Sequence, residues 1–189
     1  RDYYASRGLG DVYKRQGADY AYTFDGGEAG TLESENFNAG TALVTVRGVG
    51  VHPGLSKGKM VNAVRYAAKL IDRLPMAEAP ETTEGHEGFF HPNMSRGTVV
   101  EAVVRILVRD HDRARYEEKK AFLEKLVEDM RAEYPQAQFS IEIRDSYENM
   151  KPYLDRAPKV LEIVREAYRA CGLLSLIHIS EPTRRVVIS

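Results

Sequence analysis

The chain has very little cysteine and no long hydrophobic run. Its one cysteine among 189 residues, Cys171, cannot form a disulfide within the chain, and no C-x-x-C pair offers a metal or redox site. The most apolar run, residues 173–179, is far shorter than the roughly 20 residues of a membrane-spanning helix. A signal-peptide core is also missing from the first residues. The sequence therefore predicts a protein of a reducing, cytoplasmic compartment without a membrane segment.

An excess of charge of one sign is missing as well. Lysine and arginine number 27 and aspartate and glutamate 28, for a formal net charge of -1. Because binding to a phosphate backbone calls for a basic face, nucleic acid is not an expected partner. With 43% hydrophobic and 29% charged residues, the composition is that of a folded globular chain.

The common self-contained catalytic motifs are absent. The five histidines form neither an H-E-x-x-H pair nor another helical pair four residues apart, so they indicate no complete zinc site. The sequence also has no phosphate-binding loop and no G-x-S-x-G motif. Pattern alone thus assigns no reaction.

What is present is a regular succession of strand and helix patterns in the middle of the chain. Alternation of apolar and polar residues predicts strands, and apolar residues three and four apart predict amphipathic helices. The predicted strands are 39–48, 89–91, 98–109 and 138–144, and the predicted helices are 57–74 and 112–134. This order, strand, helix, strand, strand, helix, strand, is that of the ferredoxin-like split βαβ fold.

The predicted fold class is therefore α+β, a ferredoxin-like βαββαβ domain with an antiparallel sheet and both helices on one face. On its first helix the predicted inward stripe is Val61, Val64, Ala68 and Ile71. An aromatic strand at 20–24 precedes this block and a helix at 158–171 follows it. Since neither has a partner, both are expected to be pieces of a second, α/β domain into which the block is inserted.

Three residues are candidates for function. Asp25 follows the strand at 20–24, where open sheets place ligand-binding groups, although an aspartate before two glycines is also a common turn former. His52 precedes Pro53 in a rigid loop, and its imidazole could exchange protons near neutral pH. Arg109 lies on the polar face of the 98–109 strand. Its guanidinium suits a carboxylate, and a solvated sheet face is the alternative.

A series of short motifs gives the sequence a specific resemblance. The motifs are 21–27 (AYTFDGG), 35–39 (ENFNA), 51–54 (VHPG), 57–63 (KGKMVNA), 83–91 (TEGHEGFFH), 96–99 (RGTV), 109–112 (RDHD) and 145–150 (DSYENM). In this order they resemble the peptidase T family of tripeptide aminopeptidases, over about residues 17–172.

This resemblance implies a zinc-dependent exopeptidase, in which a catalytic α/β domain holds two Zn²⁺ ions and an inserted ferredoxin-like lid mediates formation of a homodimer. It implies that Asp25 is a zinc ligand. His52 would be a lid histidine that holds the substrate carbonyl or its oxyanion, often in the neighbouring subunit, and Arg109 would bind the peptide carboxylate. The implied reaction is release of the N-terminal residue of tripeptides and other short peptides by a metal-activated water.

The chain departs from the family at both ends. The other zinc ligands and the general base of the family lie outside the matching motifs and are not found here, so the chain is expected to be an inactive fragment. The ends resemble translated sequencing-adapter sequence. The expected division is 1–16 and 173–189 as artefactual extensions, 17–37 and 148–172 as parts of the catalytic domain, and 38–147 as the lid.

Two alternatives remain open at this point. The chain could be a dimerisation module without catalysis, or the lid of a related aminoacylase-like or carboxypeptidase-like amidohydrolase. Metal separates these possibilities, because the enzyme needs several ligands beyond Asp25.

Overall fold

The computed structural model describes Tyr22, residues 31–173 and the backbone of residues 176–179. The strands are β1 (Thr31–Glu35), β2 (Asn38–Arg47), β3 (Phe89–Gly97), β4 (Glu101–Asp110), β5 (Gln138–Tyr147) and β6 (Leu176–Ile179). The helices are α1 (Ala63–Asp72), α2 (Arg113–Glu133), α3 (Lys151–Asp155) and α4 (Pro158–Ala170). Among these residues, no helix combines the length and the apolar character needed to cross a bilayer.

Four of the strands form an antiparallel sheet in the order β3-β4-β2-β5. β2 and β3, which α1 connects, run in the same direction with β4 between them, as the split βαβ fold requires. The predicted α+β, ferredoxin-like architecture is confirmed. β1 and β6 pair in parallel as a separate two-stranded sheet, and no periodic pattern in the sequence predicts either strand.

The helices α1 and α2 pack on one face of the four-stranded sheet and enclose the hydrophobic core. The inward side chains of the two central strands are almost completely buried: Ala42, Val44, Val46, Ala102, Val104, Ile106 and Val108. From α2 they are met by Tyr116, Leu123, Val127 and Met130. On the opposite face Arg47 and Arg105 are exposed, so the predicted one-sided burial is correct.

The buried stripe of α1 differs from the predicted one. Val61 is buried and Ile71 packs against the core as predicted, but Val64 and Ala68 are exposed. The other buried residues are Ala63, Ala67, Leu70 and, just after the helix, Leu74. The helix begins at Ala63 rather than near residue 57. It begins there because Oδ1 of Asn62 accepts hydrogen bonds from the backbone N–H groups of Val64 and Arg65, at 3.1 and 3.4 Å.

α2 begins close to its predicted start, because the Asp112 carboxylate caps it by accepting a hydrogen bond from the Arg115 backbone at 2.9 Å. β4 begins at Glu101, three residues after its predicted start, and Val100 just before it is 52% exposed. Of the strand predicted at 20–24, only Tyr22 is described. Its hydroxyl donates to the carbonyl of Val160 in α4 at 2.9 Å.

Candidate functional site

Of the three residues singled out from the sequence, Asp25 lies outside the described residues. His52 is exposed and caps the 3₁₀ turn Pro53–Leu55, where its Nδ1 accepts a hydrogen bond from the Gly54 backbone at 3.2 Å. Because Nδ1 is the acceptor, the proton of the neutral ring lies on Nε2. His52 therefore presents a hydrogen-bond donor at its outer end.

Arg109 is almost buried, at 9% exposure, although the alternation of β4 assigns it to the polar face. Its Nη1 donates to the carbonyls of Gly40 and Val108, at 3.1 and 3.0 Å. The guanidinium also lies 5.6 Å from the ring centre of Tyr147. Arg109 thus ties β4 to β2 and β5, which is a structural role whatever else it does.

His52 and Arg109 lie at opposite ends of the sheet. Arg109 is paired with Ala39, near the start of β2, and the His52 loop follows the end of β2 at Arg47. The eight steps along the strand from Ala39 to Arg47 span about 27 Å, at about 3.4 Å per residue. Within one chain the two side chains therefore do not converge on one small ligand.

At the Arg109 end, the sheet buries polar side chains instead of apolar ones. Asn38, Asp110, His111 and Asn149 are between 1% and 7% exposed. We call these four residues the polar base of the sheet. They come from the start of β2, the end of β4 and the segment after β5, which are the places where the chain enters and leaves the sheet.

Asparagine side chains hold the polar base together. Asn38 Nδ2 donates to the carbonyls of Asp110 and His111 at 3.1 and 3.0 Å, and its Oδ1 accepts from the Asn149 backbone at 3.0 Å. Asn149 Nδ2 donates in turn to the His111 carbonyl at 3.0 Å. Backbone groups that the strands leave unpaired at this end are satisfied in this way, as buried polar groups require.

Asp110 makes close contacts on the other side of the polar base. Its Oδ1 accepts from the Asp112 backbone at 2.9 Å, and its Oδ2 lies 3.8 Å from Nζ of Lys119, which also pairs with Glu78. Burial raises the pKa of Asp110. A side chain at Gly88 would collide with this carboxylate, so the glycine permits the close approach of β3.

Three potential metal ligands, one of which is His111 of the polar base, lie close together at this end of the sheet. Glu35 Oε2 lies 3.0 Å from His86 Nε2, and Glu35 Oε1 lies 3.6 Å from His111 Nδ1. The two imidazole centres are 4.8 Å apart. Among the described residues, this is the group of three side chains whose ligand atoms are close enough to share one metal ion.

The charges in this group favour an ionised carboxylate and neutral imidazole. Burial alone would raise the pKa of Glu35, but hydrogen bonds from His86 and Asn149 and the two histidines together lower it. Burial lowers the pKa of His111, against the opposing effect of the Glu35 charge. An anionic oxygen and an imidazole nitrogen therefore face each other near neutral pH.

Sequence reasoning missed this cluster. Glu35, His86 and His111 all lie in motifs quoted above, but they are far apart in sequence and show no metal-binding spacing. The topology brings them together, because β4 ends beside the junction of β1 and β2 and a turn returns the chain there before β3. No local pattern in the sequence reports such a meeting.

A cleft of about 520 Å³ lies between the start of β3 and α2. Its charged lining is mixed, with Glu78, Asp110 and Lys119 among the residues around it. Neither His52 nor Arg109 lines it, so it does not unite the candidate residues.

Comparison with known proteins identifies the family to which this fold belongs. The family described as "Peptidase dimerisation domain" matches residues 34–138, more than half of the chain. The chain belongs to this family. The match runs from the end of β1 to the start of β5 and includes both helices of the core and all three residues of the Glu35, His86 and His111 group.

A peptidase T from Vibrio parahaemolyticus serotype O3:K6 is 44% identical over 161 residues, which are 85% of this chain and 39% of that relative. The chain thus spans about two fifths of the length of the curated relatives it matches.

Two solved structures share the fold. A tripeptidase from Staphylococcus aureus has a TM-score of 0.70 at 21% identity, over 84% of this chain and 42% of that one. An amidase of the hydantoinase/carbamoylase family from Burkholderia multivorans has a TM-score of 0.54 at 17% identity, over 80% and 37%. The fold alone therefore does not separate peptidases from amidases.

Proposed function

We propose that this chain is the lid-bearing part of a peptidase T-like aminopeptidase that releases the N-terminal residue of tripeptides. The observation that carries this proposal is the 44% identity over 161 residues to a protein named peptidase T. That stretch is longer than the 105 residues that match the dimerisation domain. The likeness to the amidase is 17% identical and supports the shared fold only.

The proposed reaction is hydrolysis by a metal-activated water, and the metal is zinc. When bound, zinc would polarise the scissile carbonyl and lower the pKa of the water. Asp25 is proposed as one of its ligands. The group of Glu35, His86 and His111 does not include that residue, so the described part of the chain does not supply a catalytic zinc site and no further step is assigned to the metal.

His52 is proposed to hold the oxyanion that forms as the peptide bond is attacked. Its support is the hydrogen bond from Gly54 to Nδ1, which leaves the Nε2 proton for the substrate. Because His52 and Arg109 lie at opposite ends of one sheet, we propose that His52 serves the active site of a partner subunit in a homodimer. The family's description as a dimerisation domain supports such a dimer.

Arg109 is proposed to bind the carboxylate of the peptide. This role would be additional to its hydrogen bonds with Gly40 and Val108. The variant Arg109→Ala would therefore disturb the sheet as well as the substrate site. Arg109→Lys is the more informative change, because it keeps the charge and loses the fork that pairs with a carboxylate.

A chimaera tests the function directly. Residues 17–172 would be joined to the flanking parts of the Vibrio parahaemolyticus peptidase T, and hydrolysis of a tripeptide would be compared with hydrolysis of an N-carbamoyl amino acid. Tripeptide cleavage that falls on the order of 10²-fold in His52→Ala is expected. A folded dimer that cleaves only the carbamoyl substrate would contradict the proposal in favour of an amidase.

Mixed dimers test whether His52 acts across the interface. One chimaera carries His52→Ala and a second carries Asp25→Ala, and each alone is expected to be nearly inactive. If His52 serves the partner's site, dimers that contain one subunit of each kind recover activity, because one site then has both residues intact. Equal inactivity of the mixed dimers would show that His52 and Asp25 act in the same subunit.

A further inference from the structure

The cluster at the polar base has no role in the function proposed above. Glu35 ends β1, His86 lies in the turn before β3, and His111 directly follows β4. We propose that Glu35, His86 and His111 form a binding site for a divalent transition-metal cation, with Zn²⁺ as the best fit. A bound ion would hold the end of β1 against the four-stranded sheet, at the point where the chain enters that sheet.

The distances are close to those that such a site needs. Zinc with nitrogen and oxygen ligands at about 2.0–2.1 Å in tetrahedral geometry separates those ligands by about 3.3 Å. Here the carboxylate oxygens lie 3.0 Å from His86 Nε2 and 3.6 Å from His111 Nδ1, and one ligand atom of each residue lies within 4.8 Å of the others. Small rotations of side chains would close the remaining difference.

His111 is the second observation that indicates a ligand. Its side chain is only 4% exposed, and neither ring nitrogen makes a hydrogen bond of good geometry; the Asn36 backbone and the Glu35 carboxylate lie near the ring and act on its pKa. A buried polar atom without a partner is costly and uncommon in folded proteins. A metal ion at Nδ1 would supply the missing partner, on the side that already faces the carboxylate.

Neighbouring groups fix the orientation of two ligands. The ring of Phe37 packs on that of His111, with centres 4.0 Å apart. Asn149 Nδ2 donates to Glu35 Oε1 at 3.1 Å, so the carboxylate is held by a hydrogen bond from outside the cluster. Such contacts orient metal ligands and strengthen binding.

His86 provides access to the site. Its side chain is 54% exposed, and Gly85 before it has φ +59°, a conformation that favours glycine and allows the turn to point His86 at Glu35. Three protein ligands with one side open to solvent leave room for a water as the fourth ligand. Two imidazoles and a carboxylate suit Zn²⁺ and its neighbours in the first transition row, whereas Mg²⁺ and Ca²⁺ prefer oxygen ligands alone.

The test measures metal binding by the untagged 189-residue chain after treatment with a chelator. Calorimetric titration with Zn²⁺ is expected to show one bound ion per chain and a raised melting temperature, and Mg²⁺ is expected to show neither. His86→Ala should weaken zinc binding at least 10-fold, because loss of a ligand costs no less than loss of its supporting contacts. His86 is exposed, so this variant keeps the fold.

Matched variants identify the ligands. Glu35→Gln should weaken binding as His86→Ala does, whereas Glu33→Gln on the same strand and His91→Ala on β3 should bind like the original chain. Equal affinity in His86→Ala, Glu35→Gln and the original chain would overturn the proposal. It would also be overturned by a folded chain that binds no Zn²⁺, or by binding that disappears only in Cys171→Ser or Asp25→Asn.

Discussion

The middle of the four-stranded sheet and its polar base bury side chains of opposite character. In the middle, aliphatic residues such as Val104 and Ile106 are completely buried against the two helices. At the base, Asn38, Asp110, His111 and Asn149 are nearly as buried, but the side chains of Asn38, Asp110 and Asn149 make directed hydrogen bonds, two of them to the backbone carbonyl of His111. One sheet thus combines a region stabilised by buried apolar surface with a region whose side chains are positioned by hydrogen bonds.

The two regions contribute differently to the fold. Apolar burial depends on area and volume rather than direction, so it supplies most of the free energy and tolerates changes that conserve volume. A buried hydrogen bond adds only about 1 kcal/mol net, but a lost partner leaves a costly unpaired group. The core therefore stabilises the sheet, and the polar base determines where β1 and the segment after β5 meet it.

The largest effect is expected in the middle of the sheet. Ile106→Ala should lower the free energy of unfolding by about 2–5 kcal/mol, because it removes buried methyl groups and leaves a cavity. Urea denaturation followed by circular dichroism measures the change. Arg105→Ala, on the exposed face of the same strand, is the matched control and should change stability by no more than about 0.5 kcal/mol. Similar losses in both variants would refute one-sided burial.

A smaller loss is expected at the polar base. Asn38→Ala removes two donated hydrogen bonds and one acceptor, and should cost about 1–3 kcal/mol. Hydrogen exchange of the Asn149 amide should also become faster, because its acceptor is gone. Asn93→Ala on β3 is the control, since that asparagine is exposed and accepts a hydrogen bond from the Arg105 side chain, outside the polar base. An unchanged Asn149 amide would contradict the network.

These two regions also differ in how well the sequence predicts them. Burial on β4 follows a period of two, so alternation identifies Ala102, Val104 and Ile106 correctly. The prediction for α1 is correct at Val61 and Ile71 and wrong at Val64 and Ala68, because the positions buried instead include alanines with little hydrophobic signal of their own. The start of that helix depends on the capping side chain of Asn62, which periodicity does not detect.

At the polar base the sequence offers no period at all. The motifs there contain Asn38, His86 and His111, but their contacts depend on how β4, β1 and the turn before β3 meet in space. Burial of Arg109 is a related case, since alternation predicts its face but not its hydrogen bonds to the carbonyls of Gly40 and Val108. Long-range polar contacts require the topology first.

A polar contact between core and surface should show an intermediate effect with a defined pH range. The Tyr116 hydroxyl donates to Asp145 Oδ1 at 2.6 Å. Tyr116→Phe should cost about 1 kcal/mol at pH 7. Burial and this hydrogen bond raise the pKa of Tyr116, and the hydrogen bond lowers the pKa of Asp145.

The signs follow from these two shifts. The unfolded tyrosine ionises near pH 10 and the folded one does not, so the advantage of the original chain is lost as the pH rises above about 10. The Asp145 contribution is present at neutral pH and is lost as the pH falls below about 4. Urea titrations of both proteins from pH 3 to pH 11 should give the largest difference between these limits. A constant difference would contradict the contact.

The smallest effect is expected for an ion pair on the outer face of α2. Lys125 Nζ lies 3.0 Å from Asp129 Oδ1, one turn away, and the two side chains are 76% and 54% exposed. Water and salt screen such a pair, and ordering two long side chains costs entropy, so Lys125→Gln should lower the free energy of unfolding by less than about 0.5 kcal/mol. Glutamine has nearly the same helix propensity as lysine, so the change isolates the charge.

The difference should shrink further in 1 M NaCl, whereas the cost of Tyr116→Phe should persist because that hydroxyl is buried. A loss for Lys125→Gln as large as that for Tyr116→Phe, and insensitive to salt, would show that burial does not determine how much a polar contact contributes in this protein.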